Sequence, residues 1–417
     1  MRSFRKAERC SSDSRALSSI GEPGISQRRY ATAHPVSNPS MLLALPFLFM
    51  AQAGPTEAEV GKAIQSGADF LKKKYEKGFD AVAWNSTLEL VMLTLSHAGV
   101  PPSDPVFQKG LKELETCKLQ YTYRVAALAM TLQRIDSRKY QDRIAHCAQW
   151  LIDTQLPEGE WGYPDTLSSA DQAPKAIEVE PPKVAKSATA GSGGTVSMIK
   201  IKRTPNKNLD MKAKGDISNT QFAILGLKAC LDAGIEIPQS TWKLAGGYIL
   251  KTQNQDGGWG YYFNGMKDEQ SYSSMTCAGV CSLVICKYGL GNKEGAKDAP
   301  VKAGLRWLGD HFKPDDNANV TKSHVADASR WLYYYLYSIE RVGKIVGVDD
   351  IGKQKWYPVG AKYLLEKQKK DGSWWTGIDG VQWKQAGDIE TADTCFAILF
   401  LTRATPPLVA TGGGEKK

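Results

Sequence analysis

The sequence predicts an all-α fold, an (α/α)6 toroid of six inner and six outer helices with one long insertion. Two observations lead to it. From Pro55 onward, segments with helical periodicity alternate between two kinds, one amphipathic and one apolar on nearly every face. In addition, a loop motif that carries the same Gln, Gly and Trp recurs three times along the chain, which is typical of a repeat architecture.

The two kinds of helix define two rings. A helix that is apolar on every face is buried, whereas a helix with one polar face lies at a surface. The apolar segments are therefore expected to surround a central cavity, and the amphipathic segments to pack outside them. The predicted inner helices are 85–98, 122–134, 216–232, 272–287, 325–340 and 388–402, and the predicted outer helices are 57–75, 104–117, 138–154, 240–253, 298–311 and 354–369.

The repeated loops are predicted to be structural. Each follows an outer helix and leads to the next inner one, and its glycine can adopt a positive φ. We expect the Gln to cap the end of the preceding helix and the Trp to pack between neighbouring repeats. The residues concerned are Gln155 and Trp161 in the first loop, Gln253, Asp256, Gly257 and Trp259 in the second, and Gln368, Asp371, Gly372 and Trp374 in the third.

The termini and one internal segment fall outside the helical pattern. In residues 1–53, an apolar run from Met41 to Met50 is too short to span a bilayer and ends in the small residues typical of signal-peptidase cleavage. This predicts a signal peptide cleaved near Ala53 and an exported protein, periplasmic or extracellular, with no transmembrane helix in the mature chain. Met1 and Met41 both stay open as the start, and a buried N-terminal helix is the alternative interpretation of the run.

The toroid is expected to span residues 54–405. Within it, 163–215 is of low complexity and rich in Pro, Lys, Ser, Ala and Gly, which indicates partial disorder or a lid over the cavity. The alternation from Thr195 to Arg203 predicts a small hairpin there. The tail, 406–417, is predicted to be disordered.

Charge and cysteine content exclude some function classes. The net charge is +9, but the excess of basic residues lies largely in 1–40 and 163–215, so no basic face for nucleic acid is expected. The chain has eight cysteines and no Cys-x-x-Cys, and all but Cys10 lie in apolar helical runs. They are predicted to be free, buried core thiols.

The repeated loops resemble the "QW" repeats of squalene-hopene cyclases and the glycine-tryptophan loops of protein prenyltransferase β subunits, the terpenoid cyclase/protein prenyltransferase α/α-toroid superfamily. The segments 216–227, 333–343 and 356–365 look like exported bacterial proteins with prenyltransferase and squalene oxidase repeats. The resemblance covers roughly 57–403. It implies a central cavity that takes an elongated hydrophobic ligand, an isoprenoid or a lipid.

The chain departs from that family at the residues that carry chemistry. The Asp-x-Asp-Asp motif that supplies the acid in squalene-hopene cyclases is absent from this sequence. Asp393 and Cys395 match the Asp-x-Cys that binds zinc in prenyltransferases, but the third ligand would have to be His324 on the preceding inner helix. We therefore expect no metal and no cofactor. Whether the protein is an enzyme stays open, and the resemblance implies the isomerase or transferase class if it is one.

A ligand site is predicted where the inner helices begin. The family resemblance places these N-termini around one mouth of the cavity, and helix N-termini favour anions and oriented polar groups. Aromatic side chains in the same place are suited to cations, sugar rings or simple core filling. The candidate catalytic acids are Asp216, Asp388 and Asp393, and the candidate ligand-binding residues are Trp84, Tyr121, Tyr123, Tyr272, His324, Asp327, Trp331, Tyr334 and Glu390.

Two other functions remain open at this point. The toroid could be a non-catalytic scaffold for a peptide, a glycan or a partner protein, with 163–215 engaging the partner. It could also be an exported polysaccharide-degrading enzyme, which needs two carboxylates about 5–10 Å apart in an open cleft. A lipid binder should instead present an apolar and aromatic cavity, and a scaffold should present a mouth filled by its own side chains.

Overall fold

The computed structural model describes residues 54–79, 87–163, 198–204, 213–263, 266–267, 269–319, 331–375 and 389–408. The predicted signal peptide, most of the predicted low-complexity insertion and most of the predicted tail lie outside these residues. In the part of the chain that is described, no helix is long and apolar enough to cross a lipid bilayer.

The described residues form twelve α-helices that alternate between an inner and an outer ring, as the sequence predicts. The inner helices are α2 (Leu88–His97), α4 (Thr122–Asp136), α6 (Ile217–Asp232), α8 (Ser273–Gly289), α10 (Leu332–Val346) and α12 (Ile389–Leu401). The outer helices are α1 (Glu57–Lys74), α3 (Pro105–Thr116), α5 (Gln141–Asp153), α7 (Gln239–Lys251), α9 (Ala299–His311) and α11 (Trp356–Lys367).

The inner helices form a closed ring. Each packs against the next in chain order from α2 to α12, and α12 packs back against α2. The outer helices lie against them: α3 on α2, α5 between α4 and α6, α7 and α9 on α8, α11 between α10 and α12, and α1 on α12. The fold is therefore the (α/α)6 toroid that the alternation of helix types predicts.

One inner helix was placed wrongly by the sequence. The prediction put it at 325–340, whereas α10 begins at Leu332 and continues to Val346. The helix ends where Gly347 adopts a left-handed conformation (φ 79°) and its N–H bonds the carbonyl of Gly343. The charged residues from Glu340 onward resemble the start of a polar connection, but they are the last, buried turns of the helix.

The three repeat loops share one hydrogen-bonding pattern. The indole Nε1 of each Trp donates to the carbonyl ten residues earlier, on the outer helix that precedes the loop: Leu151 for Trp161, Ile249 for Trp259 and Leu364 for Trp374. The backbone N–H of each Trp donates to a threonine Oγ1 on the following inner helix, namely Thr220, Thr276 and Thr394. Each Trp thus joins two helices, as expected of a structural loop.

The capping prediction holds for one of the three glutamines: Gln368 is the C-cap of α11, through its backbone N–H, whereas Thr154 and Thr252 are the C-caps of α5 and α7. Each Gln Nε2 donates to the carbonyl of its own loop glycine and to a carbonyl of the next outer helix. That second acceptor is Thr241 for Gln155, Pro300 for Gln253 and Ala63 for Gln368. The Gln368 bond joins the last repeat to α1 and closes the outer side of the ring.

The loop glycines are required by their backbone. Gly257 and Gly372 have φ of 89° and 91°, and a Cβ on Gly372 would lie 2.3 Å from the carbonyl oxygen of Ser66. A larger residue would therefore be strained at these positions. Asp256 and Asp371 complete the loops: Asp256 accepts from the Gly258 N–H and the Trp307 indole, and Asp371 from the Ser373 N–H.

Six short strands accompany the helices. They pair as β1 (Ile199–Lys200) with β2 (Ile235–Glu236) in parallel, β3 (Tyr262–Phe263) with β4 (Met266–Lys267) antiparallel, and β5 (Asp350–Ile351) with β6 (Gln354–Lys355) antiparallel. The described strand of the 163–215 insertion, β1, pairs with the residues after α6, and the predicted hairpin lies only partly within the described residues. Its side chains Ile199 and Ile201 are buried and anchor this part of the insertion to the toroid.

The seven cysteines of the described residues are free thiols. Six are buried, and Cys117 is half-buried; the six are Cys147, Cys230, Cys277, Cys281, Cys286 and Cys395. Burial raises the pKa of Cys281 to about 12, so its side chain stays a neutral thiol.

Candidate functional site

A cavity of about 490 Å³ lies at the end of the barrel where the inner helices begin. Residues from the first turns of all six inner helices contribute to its wall, which places these helix N-termini at one end of the ring. We call it the aromatic cavity. It is lined by Thr87, Glu89, Leu90, Tyr123, Arg124, Ala127, Tyr163, Ser218, Phe222, Tyr261, Tyr272, Ser274, Met275, Trp331, Tyr334, Ala392 and Phe396.

Contacting rings form much of the wall. Phe222 lies against Tyr123, with ring centroids 4.6 Å apart, and stacks with Tyr334 at 6.3 Å. Tyr334 meets Phe396 edge-to-face at 5.6 Å and Trp331 at 6.4 Å. Trp331 is 48% exposed, whereas Tyr334 is buried, so the series runs from the rim into the barrel. Aromatic pairs at these distances stabilise one another, which makes the wall a preformed surface.

The hydroxyls of two of the five tyrosines of this wall are engaged by neighbouring side chains. Tyr123 Oη donates to Ser218 Oγ at 2.5 Å, and Tyr334 Oη donates to Gln221 Oε1 at 2.7 Å. Burial also raises the pKa of Tyr123 well above its ordinary value, which keeps the phenol neutral. With the hydroxyls engaged, these tyrosines present mainly their apolar ring faces to the cavity.

A buried ion pair stands in the same wall. Arg124 Nε lies 3.0 and 3.1 Å from the two carboxylate oxygens of Glu89, and Nη2 lies 2.8 Å from Oε1. Both residues are buried. Burial holds the pKa of Glu89 above its ordinary value, although the bonds from Arg124 pull it down. Glu89 is the one carboxylate among the described lining residues, and both of its oxygens accept hydrogen bonds from Arg124.

The predicted catalytic acids that are described are not lining residues themselves, although Asp216 hydrogen-bonds the side chain of Tyr261, which is one. Asp216 is the N-cap of α6: Oδ1 accepts from the N–H groups of Ser218 and Asn219, and Oδ2 from the Asn219 amide. Burial raises the pKa of Asp216 to about 6. Asp393 is buried in α12. A short side chain in the first turn of a helix reaches the local backbone more readily than the barrel axis, so Asp216 is a cap.

The predicted ligand-binding residues divide into three groups. Tyr123, Tyr272, Trp331 and Tyr334 line the cavity as expected. Tyr121 and Glu390 do not: Tyr121 is buried just before α4 with a φ of 64°, and Glu390 is paired with Lys369 at 3.4 Å. The remaining predicted site residues lie outside the described part of the chain, namely Trp84, His324, Asp327 and Asp388.

The zinc ligands considered from the sequence can be placed only in part. Asp393 and Cys395 are buried in α12, whereas His324 lies outside the described residues. Burial raises the pKa of the Cys395 thiol to about 12. Among the residues that the structure describes, no group of three His, Cys, Asp or Glu side chains is placed to hold a metal ion.

Sequence reasoning missed the lining residues that lie one turn further along each helix. Phe222 and Phe396 are examples, because in an apolar helix nothing in the sequence separates a cavity-facing ring from a packed one. Glu89 and Arg124 did carry a signal. Each is a charged residue within an apolar inner helix, and such a residue needs a buried partner of opposite charge.

Comparison with known proteins gives only distant structural matches. No family model matches the sequence, and no curated protein does. Among solved structures, a type II terpene cyclase from Scytonema in complex with geranylgeranyl dihydroxybenzoate is 12% identical, with a TM-score of 0.46 over 83% of this chain and 96% of its own. A possible member of the GH105 family from Salmonella enterica is 11% identical, with a TM-score of 0.48 over 89% of this chain and 98% of its own.

An unsaturated glucuronyl hydrolase specific for heparin is also similar, at 9% identity and a TM-score of 0.46, over 84% of this chain and 97% of that one. The structures that the chain resembles thus include a type II terpene cyclase as well as a glucuronyl hydrolase. At these identities and TM-scores the likeness carries no argument about chemistry, so function has to be argued from the cavity.

Proposed function

We propose that the protein binds an elongated, largely apolar molecule of the isoprenoid or lipid class in the aromatic cavity. The observation that carries the proposal is the wall itself, in which contacting aromatic rings surround a space of about 490 Å³. A volume of this order suits a small organic ligand, and apolar and aromatic walls with few polar groups are typical of such sites.

The polar groups of the wall favour an apolar ligand over a sugar. A bound sugar needs a hydrogen-bond partner for most of its hydroxyls, because a buried polar group without one is costly. The hydroxyls of Tyr123 and Tyr334 and the charges of Glu89 and Arg124 are already engaged within the wall. They offer little to a glycan, whereas the ring faces offer a large apolar contact.

The same wall gives less support to the other two functions. Glycoside hydrolysis uses two carboxylates that flank the bond, one of them as a proton donor. Among the described lining residues only Glu89 is a carboxylate, and its bidentate bonds to Arg124 keep it from donating a proton. A closed scaffold would fill the mouth with its own side chains, and the described side chains leave a cavity there. The proposal is for binding, and turnover is not part of it.

Titration with farnesol, a C15 isoprenoid alcohol, tests this proposal. Native mass spectrometry should show a 1:1 complex with residues 54–417, and the melting temperature should rise with farnesol concentration. Trp331→Ala removes a large ring at the rim without opening the core, and we expect it to weaken farnesol binding by about tenfold.

Leu250→Ala is the matched control. Leu250 is as exposed as Trp331, at 48%, but lies on the outer helix α7. Its substitution should leave the farnesol affinity unchanged. Equal effects of the two substitutions would contradict the proposal. So would a protein that ignores farnesol and binds cello- or chito-oligosaccharides instead.

A further inference from the structure

A second cavity, of about 470 Å³, lies where the inner helices end. Its wall combines the last turns of the inner helices with the segment that follows α12, and cationic side chains dominate its charge. We call it the basic cavity. Among the described lining residues, the charged ones are Arg134, Lys228, Arg341, Lys344 and Arg403, with Asp232 as the one carboxylate.

Most of these basic residues have an ordinary explanation. The C-terminal end of a helix carries a partial negative charge, and basic side chains in the last turn offset it. Arg134 and Lys344 lie in the last turns of α4 and α10. Lys228 is paired with Asp232, and Arg403 with Glu57 at 3.3 Å. These four residues alone would not indicate a ligand.

Arg341 is different because it is buried and most of its hydrogen-bond donors have no partner among the described residues. It is 1% exposed and lies more than one turn before the end of α10. Among the described residues, its Nε and Nη1 have no hydrogen-bond partner, and Nη2 reaches only Ser338 Oγ at 3.3 Å. No carboxylate in the described part of the chain forms an ion pair with it.

The adjacent carboxylate does not supply the missing partner. Glu340 is buried and accepts hydrogen bonds from Thr405, at 3.0 Å from the backbone N–H and 2.7 Å from Oγ1. Arg341 instead lies over the rings of Tyr337, at 4.2 Å, and of Phe222 and Tyr334, at 5.4 and 5.7 Å. Cation–π contacts offset only part of the cost of burying a guanidinium without hydrogen bonds.

We propose that the basic cavity is a binding site for a small molecule that carries an oxyanion, a phosphate or a carboxylate, with Arg341 as its anchor. A planar guanidinium matches the oxygen geometry of both groups. Nε and Nη1 are closed off in this conformation, and a rotation of the Arg341 side chain toward the cavity would let an oxyanion complete their bonds. Lys344 and Arg134 add positive charge at the same cavity. The site is independent of the aromatic cavity, since the rings of Phe222 and Tyr334 lie between Arg341 and that space.

Calorimetric titration with inorganic phosphate, inorganic pyrophosphate and citrate tests the proposal, at an ionic strength held constant with sodium chloride. We expect 1:1 binding of at least one of the three anions, and preference for phosphates or for citrate identifies the head group. Arg341→Met should weaken that binding by about tenfold or more. Arg306→Met removes an exposed arginine of α9 and should change nothing.

Lys344→Gln keeps the test decisive if Arg341→Met fails to fold, because Lys344 is half-buried at the cavity edge. It should weaken anion binding several-fold while leaving farnesol binding intact. The proposal is overturned if none of the three anions binds. It is also overturned if Arg341→Met binds them as tightly as the wild type and the control Arg306→Met do, or if Lys344→Gln does so where Arg341→Met fails to fold. Loss of farnesol binding alone would bear only on the aromatic cavity.

Discussion

Arg124 and Arg341 are both buried arginines on inner helices, one beside the aromatic cavity and the other beside the basic cavity. Arg124 makes three close contacts with the carboxylate of Glu89. Arg341 has no such partner among the described residues and rests on aromatic rings. The same residue type is thus fully satisfied at one end of the barrel and left with unmade bonds at the other.

The difference distinguishes a buried charge that stabilises the fold from one that is available to a ligand. A buried charge that is paired within the fold stabilises the fold, and removing its partner is costly. A buried charge without a partner lowers stability until something outside the fold completes its bonds, and such residues are found where binding demands them. The aromatic cavity therefore offers apolar ring faces, and the basic cavity offers an unsatisfied cation.

The same substitution at the two arginines should have opposite consequences. Arg124→Met leaves the Glu89 carboxylate buried and unpaired, and we expect it to lower the free energy of unfolding by about 3–5 kcal/mol at pH 7. Arg341→Met removes a charge that has no carboxylate partner, and we expect a loss of less than about 1 kcal/mol, or a gain. Urea denaturation of both variants measures the difference. Equal losses would contradict the comparison.

The pH dependence of stability should reflect the protonation of Glu340, which lies beside Arg341 near the basic cavity. Burial raises the pKa of Glu340 to about 7, against an ordinary value of 4.5. The folded state therefore holds a proton that the unfolded state has released. The stability that this proton supplies is fully present below about pH 4.5 and is lost as pH rises through about 7.

Glu340→Gln should remove this pH dependence. The variant should be more stable than the wild type at pH 8, by up to about 3 kcal/mol, and the two should converge near pH 4. Thermal unfolding across pH 4–8 measures the effect. The control is Glu366→Gln on the outer helix α11, where the side chain is 59% exposed. Parallel pH profiles for the wild type and Glu340→Gln would show that Glu340 is ionised in the fold.

A smaller contrast concerns two glutamines that connect neighbouring outer helices. Gln368 bonds the carbonyls of Ala63 and Gly372. The exposed Gln354, just before α11, reaches the carbonyl of Phe312, the C-cap of α9, at 3.3 Å. We expect Gln368→Ala to cost about 1–2 kcal/mol and Gln354→Ala less than about 0.5 kcal/mol, by urea denaturation. Similar costs would mean that the ring is not closed through Gln368.

The fold could be predicted from the sequence because it depends on features that recur along the chain. Helices that are apolar on every face have to be inside, and the repeated Gln, Gly and Trp mark where they begin. The end of α10 was misplaced because Glu340, Arg341 and Lys344 look like a polar connection. They are instead charged residues within the barrel, and only three-dimensional packing shows what they face.

The site was predictable only where a side chain lies in the first turn of a helix. Tyr123, Tyr272 and Trp331 were found in this way. Phe222 and Phe396 were missed because an apolar ring one turn deeper looks the same whether it borders a cavity or packs in the core. Asp216, a candidate catalytic acid from the sequence, is the N-cap of α6 in the structure. Whether such a residue lines the cavity depends on the direction in which its side chain leaves the helix, which the sequence alone does not give.

Photoaffinity labelling with a diazirine derivative of farnesol, followed by residue-level peptide mapping, tests the central claim most directly. The account predicts that label is found on Tyr123, Phe222, Trp331 and Tyr334, that unlabelled farnesol competes, and that Trp331→Ala reduces the labelling while Leu250→Ala does not. Label concentrated on the basic cavity or on the outer helices, with none at these four residues, would contradict it.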